Sequence, residues 1–322
     1  MATTYLQADE AGVHSIDHFA LTVPDIEAAK HFFEAFGLDV RRDQEGLAIH
    51  ALDQHCWGRI FPGPRKALSY LLFNCYESDL RGLTEQIAAA GGEKKSPPPG
   101  REGTGYWFHD PDGNLIGVQA ARRTMPGSKS QNPRTDIPPN TRGALNRRAV
   151  TAIRPNRMSH VLLFTPSVSR SVEFYSRALG LRVSDRSGNI VAFMHAPHGC
   201  DHHLLAFAGS SGRGWHHSSW DVADVDQVGL GAAQMAAAGY VEGWGTGRHV
   251  LGSNYFHYVR DPWGSFAEYS AQIDYIDAGV EWLGQDHNPE DSLYLWGPAV
   301  PAYFIENTEV PKEQSASALP AE

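Results

Sequence analysis

The sequence predicts an α+β protein whose two domains are copies of one unit. Three observations support this fold class: the length of the chain, a recurring strand–helix–strand segment and a recurring strand–turn–strand segment. At 322 residues the chain exceeds the usual size of one domain, which favours two domains of roughly 150 residues each. Apolar residues make up 42% of the chain, which is ample for packed cores.

The first recurring segment is DHFALTVPDIEAAKHFFEAFGLDV at residues 17–40 and SHVLLFTPSVSRSVEFYSRALGLRV at residues 159–183. In each copy a histidine starts a short apolar run, and a proline follows the histidine by six residues. A stretch with an aromatic pair then leads to Gly-Leu-x-Val. This order predicts a strand, an amphipathic helix that ends at the glycine, and a second strand.

The second recurring segment is YWFHDPDGNLIGVQA at residues 106–120 and FHYVRDPWGSFAEYSA at residues 256–271. Each copy predicts two strands joined by an Asp-Pro-x-Gly turn. Corresponding residues of the two segments lie 142 to 151 positions apart, so one repeat accounts for most of the chain.

The repeat also predicts the domain boundaries. Residues 1–123 form an N-terminal domain and residues 151–276 a C-terminal domain. Residues 124–150, rich in Pro, Asn, Ser and Arg, are a linker. Residues 277–322 are an aromatic tail that is expected to pack near the mouth of the second domain's site or to bridge subunits there, with a disordered end. Its aromatic residues include Trp282, Tyr294, Trp296 and Tyr303.

Composition excludes several classes of partner. Lys plus Arg is 27 and Asp plus Glu is 37, and the net charge of −10 argues against nucleic acid or an anionic membrane. No apolar run reaches the ~18 residues of a membrane span. The three cysteines lie far apart and fit neither a disulfide framework nor a cysteine-based zinc site, so we expect a cytoplasmic protein.

The C-terminal copy carries three reactive side chains on separate predicted strands. They are His160 on the first strand, His217 on a later strand and Glu268 after the Asp-Pro turn. His216 precedes His217, and because adjacent strand residues point to opposite faces, we expect only His217 to be a ligand.

The N-terminal copy retains only one of these three groups. It has His18 at the first position, no histidine around residues 67–70, and Gly117 opposite Glu268. Since the fold tolerates this loss, the three groups of the second copy serve more than folding. An isolated strand histidine or glutamate is usually only packed or solvated, so the prediction rests on the joint pattern.

Two histidines and one carboxylate that converge on one face of a sheet are the ligand set of a mononuclear non-haem Fe(II) site, which leaves adjacent positions open. The same set could hold Mn(II) or Zn(II). The sequence therefore predicts one metal site, in the second domain.

Residues 13–276 resemble the type I extradiol ring-cleavage dioxygenases of the vicinal oxygen chelate superfamily. The resemblance is most specific in HHLLAFA (residues 202–208), HHSSWDVADVD (residues 216–226) and GRHVLGSNYFHYVRDPWGSFAEYS (residues 247–270). It implies tandem βαβββ modules in two domains, each a curved mixed sheet with outer helices. It also implies Fe(II) in the second domain and a degenerate, metal-free first domain.

The resemblance assigns roles to six residues. His160, His217 and Glu268 match the iron ligands. The other three are His203, which matches a distal acid–base histidine, His249, which matches a substrate-binding histidine, and Tyr258, which matches an active-site tyrosine. His195, His198 and His257 match nothing in the family and are expected on the surface or in packing.

The activity that the resemblance implies is extradiol cleavage of a catechol by O2, giving a product of the 2-hydroxymuconic semialdehyde type. Substrate and O2 are the expected partners, with neither nucleic acid nor membrane, and the chain is expected to form a homo-oligomer. Two alternatives stay open. One is a glyoxalase-type lyase or isomerase that uses Zn(II) or Ni(II) and consumes no O2. The other is a small-molecule-binding protein without activity, which would need no triad.

Overall fold

The computed structural model describes residues 11–43, 45–130 and 137–310, and these residues form two α+β domains. In the first domain the elements are β1 (Val13–Val23), α1 (Ile26–Ala35), β2 (Asp39–Arg42), β3 (Leu47–His50), β4 (Cys56–Pro62), β5 (Ala67–Cys75), α2 (Glu77–Ala89), β6 (Glu93–Lys95), β7 (Tyr106–His109) and β8 (Leu115–Ala120).

The strands of the first domain form one mixed sheet in the order β2-β3-β4-β1-β5-β8-β7-β6. At its centre β1 and β5 are antiparallel, whereas β1 is parallel to β4 and β5 is parallel to β8. The sheet therefore consists of two βαβββ modules side by side, one with α1 and one with α2.

The second domain repeats this arrangement. Its elements are β9 (Arg157–Thr165), α3 (Val168–Leu179), β10 (Arg182–Ser187), β11 (Val191–His195), β12 (Cys200–Asp201), β13 (Leu205–Gly209), β14 (Gly214–Asp221), α4 (Val225–Ala237), β15 (Gly243–His249), β16 (Tyr255–Arg260), β17 (Phe266–Ala271), β18 (Tyr275–Ile276) and β19 (Tyr294–Trp296). The main sheet has the order β10-β11-β13-β9-β14-β17-β16-β15-β19, and β12 pairs separately with β18.

The predicted α+β fold of tandem βαβββ modules is confirmed, with one addition. Each predicted unit contains two modules, so the described chain holds four. The two modules within one domain share few of the residues that make the longer repeat visible in the sequence, so only the longer repeat can be predicted.

The recurring helices start and end as the sequence predicts. The Asp25 side chain accepts hydrogen bonds from the first turn of α1, and Ser167 does the same for α3. After each helix a glycine takes a left-handed conformation, with φ of 95° at Gly37 and 68° at Gly180. Both helices thereby turn back towards a strand of their own module.

Aromatic contacts join the two domains. The rings of Phe36 and Tyr269 stack with centroids 3.9 Å apart, and Tyr269 Oη donates to the Phe36 carbonyl at 2.8 Å. Phe19 contacts Trp215 across the same boundary at 4.8 Å. Tyr175 of the second domain also donates a hydrogen bond from Oη to the carboxylate of Asp110 in the first domain, at 3.0 Å. One continuous apolar core therefore spans both domains.

The tail lies over the second domain and helps to line its cavity. β19 pairs with β15, and a short 3-10 helix at Ala302–Ile305 packs on the aromatic side chains of β15 to β17. β8 ends at Ala120 and β9 begins at Arg157, with the predicted linker between them. Residues 131–136 of that linker and the predicted disordered end, 311–322, lie outside the described residues.

Among the described residues no helix is both long and apolar enough to cross a membrane.

Candidate metal centre

Three buried side chains of the second domain converge on one point. His160 on β9, His217 on β14 and Glu268 on β17 place their ligand atoms within 4.8 Å of one another. Glu268 Oε2 lies 3.3 Å from His160 Nε2 and 3.7 Å from His217 Nε2. The structure thus brings together the three residues that the sequence predicts as ligands.

Strand pairing explains this convergence. β14 lies between β9 and β17, and Ser219 on β14 pairs with His160 on one side and with Glu268 on the other. His217 lies two residues before Ser219, and residues two apart on a strand share a face. The three ligands therefore come from three neighbouring strands on one face of the sheet, with His217 two residues along β14 from the level of the other two.

The donor atoms fit a metal ion. His217 Nε2 and Glu268 Oε2 are buried, and neither has a hydrogen-bond partner among the described residues. Buried polar atoms are normally paired, so two such atoms that face each other point to a bound group. A divalent metal with two nitrogen ligands and one oxygen ligand satisfies both atoms.

The charge states of Glu268 and His217 also fit. Burial opposes ionisation of Glu268, but His160 and His249 beside it hold the pKa of its carboxyl below the usual value, so it stays anionic. Burial lowers the pKa of His217 well below its usual value, so this imidazole stays neutral. A neutral ring nitrogen and a carboxylate are the forms that bind metals.

The expectation that His216 and His217 point to opposite faces is wrong. The register between β14 and β9 shifts between Trp215 and His217, which indicates a β-bulge. A bulge adds one residue to a strand and re-aims its side chain. The Nδ1 atoms of the two histidines consequently lie 2.6 Å apart, and both rings line the same cavity.

His249 and Tyr258 form a pair beside Glu268. His249 Nε2 lies 2.9 Å from Tyr258 Oη and 3.6 Å from Glu268 Oε1. His249 Nδ1 lies 2.5 Å from the Leu293 carbonyl oxygen, which can only accept, so Nδ1 carries a proton, and in the neutral ring Nε2 is the acceptor that faces the tyrosine. Burial and the neighbouring carboxylate raise the pKa of Tyr258 well above its usual value, so it stays a neutral phenol.

His203 lies in the loop between β12 and β13, beside the ring of His160. Its ring centroid is 4.0 Å from that of His160, and its Nδ1 lies 3.0 Å from His202 Nδ1. His202 in turn donates a hydrogen bond from Nε2 to Asp185 Oδ2 at 2.8 Å, so His203, His202 and Asp185 form one chain of contacts. Burial lowers the pKa of His203 well below its usual value, so this ring is a neutral neighbour of the ligands.

Asn254 is a site residue that the sequence did not reveal. Its side-chain amide donates to Glu268 Oε1 at 3.1 Å and to Ser270 Oγ at 2.9 Å. The bond to Oε1 fixes the carboxylate through the oxygen that does not face His160 and His217. Asn254 stands beside a loop in the sequence, where asparagine is common for turn chemistry alone, so no pattern distinguished it.

The site opens into a cavity of about 1170 Å³. Its walls are mainly apolar and come from the sheet and from the tail, and no lysine or arginine among the described residues lines it. The apolar side chains that line it include Leu162, Phe164, Phe193, Leu251, Leu293 and Phe304.

In the first domain the corresponding space is filled with side chains. Tyr70 stands where the second domain has His217, and its hydroxyl bonds His18 Nε2 at 2.9 Å. Gly117 pairs with Leu72 at the position that corresponds to Glu268. Trp107 packs with Tyr70 and Leu72 over this position. Apolar packing therefore replaces the ligand set there.

Both domains match one known protein family. Residues 15–118 and 157–269 match the family model of the Glyoxalase/Bleomycin resistance protein/Dioxygenase superfamily, one match in each domain. The chain belongs to this superfamily. The sequence-based resemblance to its extradiol dioxygenases is confirmed by the relatives described next.

The chain is similar to the following three proteins over most of its length. Metapyrocatechase 2 of Cupriavidus necator is 58% identical over 297 residues, which cover 92% of this chain and 93% of that protein. The Mn(II)-bound glyoxalase from Novosphingobium aromaticivorans is 25% identical, with a TM-score of 0.71, over 89% of this chain and 91% of that one. An extradiol ring-cleaving dioxygenase from B. fuscum shares the fold at 19% identity, with a TM-score of 0.73, over 95% and 85%.

Three histidines that match nothing in the superfamily's sites lie outside the centre. His195 is buried and bonds Ser184 Oγ at 2.8 Å. His198 bonds Asp79 of the first domain at 3.0 Å. His257 neighbours Tyr258 on β16, so its side chain leaves the opposite face of the sheet.

Proposed function

We propose that the protein cleaves the ring of a catechol beside its diol, with O2, at a single Fe(II) in the second domain. The observation that carries this proposal is the pair of unpartnered buried atoms, His217 Nε2 and Glu268 Oε2, next to a large apolar cavity that His160 and His217 line. The 58% identity to a metapyrocatechase supports the same activity.

Fe(II) is the proposed metal, held by His160, His217 and Glu268. When bound, it supplies Lewis acidity and a path for electrons between the catechol and O2. The ligand set also suits Mn(II), and one structural relative is Mn(II)-bound. The choice of Fe(II) over Mn(II) is therefore part of this proposal. Asn254 holds Glu268 in its ligating orientation, as partners of metal ligands commonly do.

The pair of His249 and Tyr258 is proposed to bind the diol. Tyr258 stays a phenol and therefore has a proton to donate, either to His249 Nε2 or to an oxygen of the substrate. In the neutral form of His249, Nδ1 carries the proton and Nε2 has a lone pair, with which it is proposed to accept a proton from a catechol hydroxyl. The pair thus orients one side of the diol and takes up its proton.

His203 is proposed as the acid–base residue on the O2 side. Its Nδ1 is occupied by His202, so Nε2 is the ring nitrogen left to exchange a proton within the cavity. Phe193 packs 4.7 Å from its ring and keeps that side dry. A neutral imidazole in this place accepts a proton early in the reaction and returns it when the ring opens.

The cavity favours a catechol with an uncharged, apolar substituent. Among the described residues its lining contains no lysine or arginine to balance a carboxylate, and it includes the half-buried carboxylate of Glu306. An unbalanced charge in an apolar site is costly. The volume of about 1170 Å³ leaves room for a substituent beyond the catechol ring itself.

The cellular location and the oligomeric state of the protein belong to the same proposal. A cytoplasmic location is supported by Cys56, Cys75 and Cys200, which are all free thiols. A homo-oligomer is supported by Leu295 and Trp296, which are exposed on the edge strand β19.

The experiment that tests the proposal is O2 uptake by anaerobically purified, Fe(II)-loaded protein on a panel of catechols. Catechol-dependent O2 consumption with a ring-opened product is expected. A glyoxalase-type enzyme consumes no O2, and a binding protein without activity changes neither reactant, so either result would reject the proposal.

A further inference from the structure

We infer that the Phe304 carbonyl of the tail, acting through His216, fixes which ring nitrogen of His217 carries the proton, and that Lys66 of the first domain anchors this part of the tail. This inference rests on the proposed metal site and concerns how one ligand is prepared for it. It assigns His216 as the residue that positions His217. It also gives the first domain a part in the second domain's site, because Lys66 anchors the tail there.

The first step is the bond between the tail and His216. His216 Nε2 lies 2.7 Å from the Phe304 carbonyl oxygen. A carbonyl oxygen has no proton, so His216 Nε2 must donate. The rings of Phe164, Phe266 and Phe304 lie 4.8 to 5.3 Å from His216, and this apolar shell favours the neutral imidazole. In a neutral ring that donates from Nε2, Nδ1 is an acceptor.

The second step is the bond between the two histidines. His216 Nδ1 and His217 Nδ1 lie 2.6 Å apart, so one of them donates to the other. Since His216 Nδ1 accepts, His217 must carry its proton on Nδ1. Its Nε2 then holds a lone pair, and this is the buried atom without a partner that faces Glu268. The tail carbonyl therefore leaves the ligating nitrogen free for the metal.

The third step is the fixed position of the carbonyl. Tyr303, next to Phe304, donates from Oη to the Gly243 carbonyl at 2.8 Å and accepts from the Gly243 amide at 3.1 Å. The Asn307 side chain donates to the carbonyls of Gly212 and Arg213 at 3.0 and 3.2 Å. The short helix is thus held on both sides of the carbonyl that His216 contacts.

The last anchor comes from the first domain. Lys66 lies between β4 and β5 and is buried, with Nζ 2.6 Å from Glu309 Oε1 and 3.0 Å from the Trp215 carbonyl. Glu309 Oε1 also accepts from the Trp215 amide at 2.9 Å. One ion pair therefore ties the tail to the residue that precedes His216. A buried charge without its partner is strongly unfavourable, so this contact holds the tail firmly.

The test is Fe(II) affinity, measured anaerobically by competition with a chelator. His216→Phe keeps the ring volume but removes both hydrogen bonds, and it should weaken Fe(II) binding about 10- to 100-fold. His216→Gln keeps a donor and an acceptor and should recover a large part of the affinity. His195→Phe, at a buried histidine outside the cavity, is the matched control and should bind Fe(II) as the wild type does.

A second readout is the visible spectrum of the Co(II)-substituted protein, which reports the ligand field without turnover. It should change in His216→Phe and stay unchanged in His195→Phe. Wild-type affinity in His216→Phe would overturn the inference. Equal losses in His216→Phe and His216→Gln would also overturn it, because packing would then be the cause. The proposed activity can fail separately, as a wild-type protein that binds Fe(II) without consuming O2.

Lys66→Met tests the anchor. It should weaken Fe(II) binding in the wild-type background and add little in the His216→Phe background, because both changes act through the same contact. Thermal unfolding of each variant monitors folding. Additive losses in the double variant would show that Lys66 does not act through His216.

Discussion

A β-carbon added to Gly117 would lie 2.8 Å from the ring of Trp107, which leaves no room for a ligand side chain. This glycine occupies the sheet position that Glu268 occupies in the second domain. The tryptophan therefore closes the first domain's counterpart of the metal centre, and the two domains divide their tasks between packing and chemistry.

The metal content of the chain follows from this division. Iron analysis should give about one Fe(II) per chain at full loading. Glu268→Gln removes the only anionic ligand and should lose most of this iron on dialysis. Glu306→Gln, at a carboxylate that lines the same cavity without facing the histidines, should keep it. Two tightly bound irons per wild-type chain, or full iron in Glu268→Gln, would contradict the assignment.

His203→Phe separates metal binding from proton transfer. The variant should bind Fe(II) and catechol like the wild type, because His203 faces the ligands without belonging to the set that converges on the metal. Turnover should fall by about 10² to 10⁴, the usual contribution of a positioned acid or base. Anaerobic metal titration and single-turnover kinetics measure the two effects. Loss of iron from this variant would make His203 a ligand instead.

The sequence predicted much of this centre because strand positions are periodic. The repeat and the Asp-Pro turn set the register, and register alone places His160, His217 and Glu268 on one face. A β-bulge breaks that periodicity, so the position of His216 could not be predicted.

Contacts between segments that are far apart in the chain also could not be predicted from the sequence. The bond from His216 to the Phe304 carbonyl joins residues 88 positions apart, and a backbone acceptor leaves no mark in the residue types. The ion pair of Lys66 and Glu309 crosses between the domains, and each residue alone reads as an ordinary surface charge. Only the packing of the tail brings these groups together.

Substrate charge provides a prediction about the cavity. A catechol that carries a carboxylate should be cleaved with kcat/KM about 10²-fold lower than its carboxamide isostere, because the apolar lining offers no counter-ion. Steady-state O2 uptake with the matched pair measures the ratio. Preference for the carboxylate would show that a basic group reaches the substrate and that the proposed substrate class is wrong.

Asp185 provides a prediction about acid stability. Burial raises the pKa of its carboxyl, but contacts with His202, the Gln285 amide and His287 outweigh burial and lower it from 3.8 to about 2. Because the folded pKa is depressed, the stabilisation is present above about pH 4 and is lost as pH falls towards 2. The shift corresponds to about 2 kcal/mol.

Asp185→Asn should therefore lower the free energy of unfolding at neutral pH, and its difference from the wild type should shrink as pH falls through this window. Denaturant unfolding at a series of pH values measures the difference. Asp286→Asn, at a neighbouring exposed carboxylate, serves as the control and should show little effect. A difference that does not vary with pH would assign the role of Asp185 to packing alone.

Isotope incorporation from O2 tests the central claim most directly. Anaerobically prepared, Fe(II)-loaded protein is mixed with a neutral catechol and ¹⁸O2, and the ring-opened product is examined by mass spectrometry. The proposed function predicts consumption of O2 in proportion to catechol, with both oxygen atoms of O2 in the product. Absence of O2 consumption by the iron-loaded protein, or a product that carries no oxygen from O2, would contradict it.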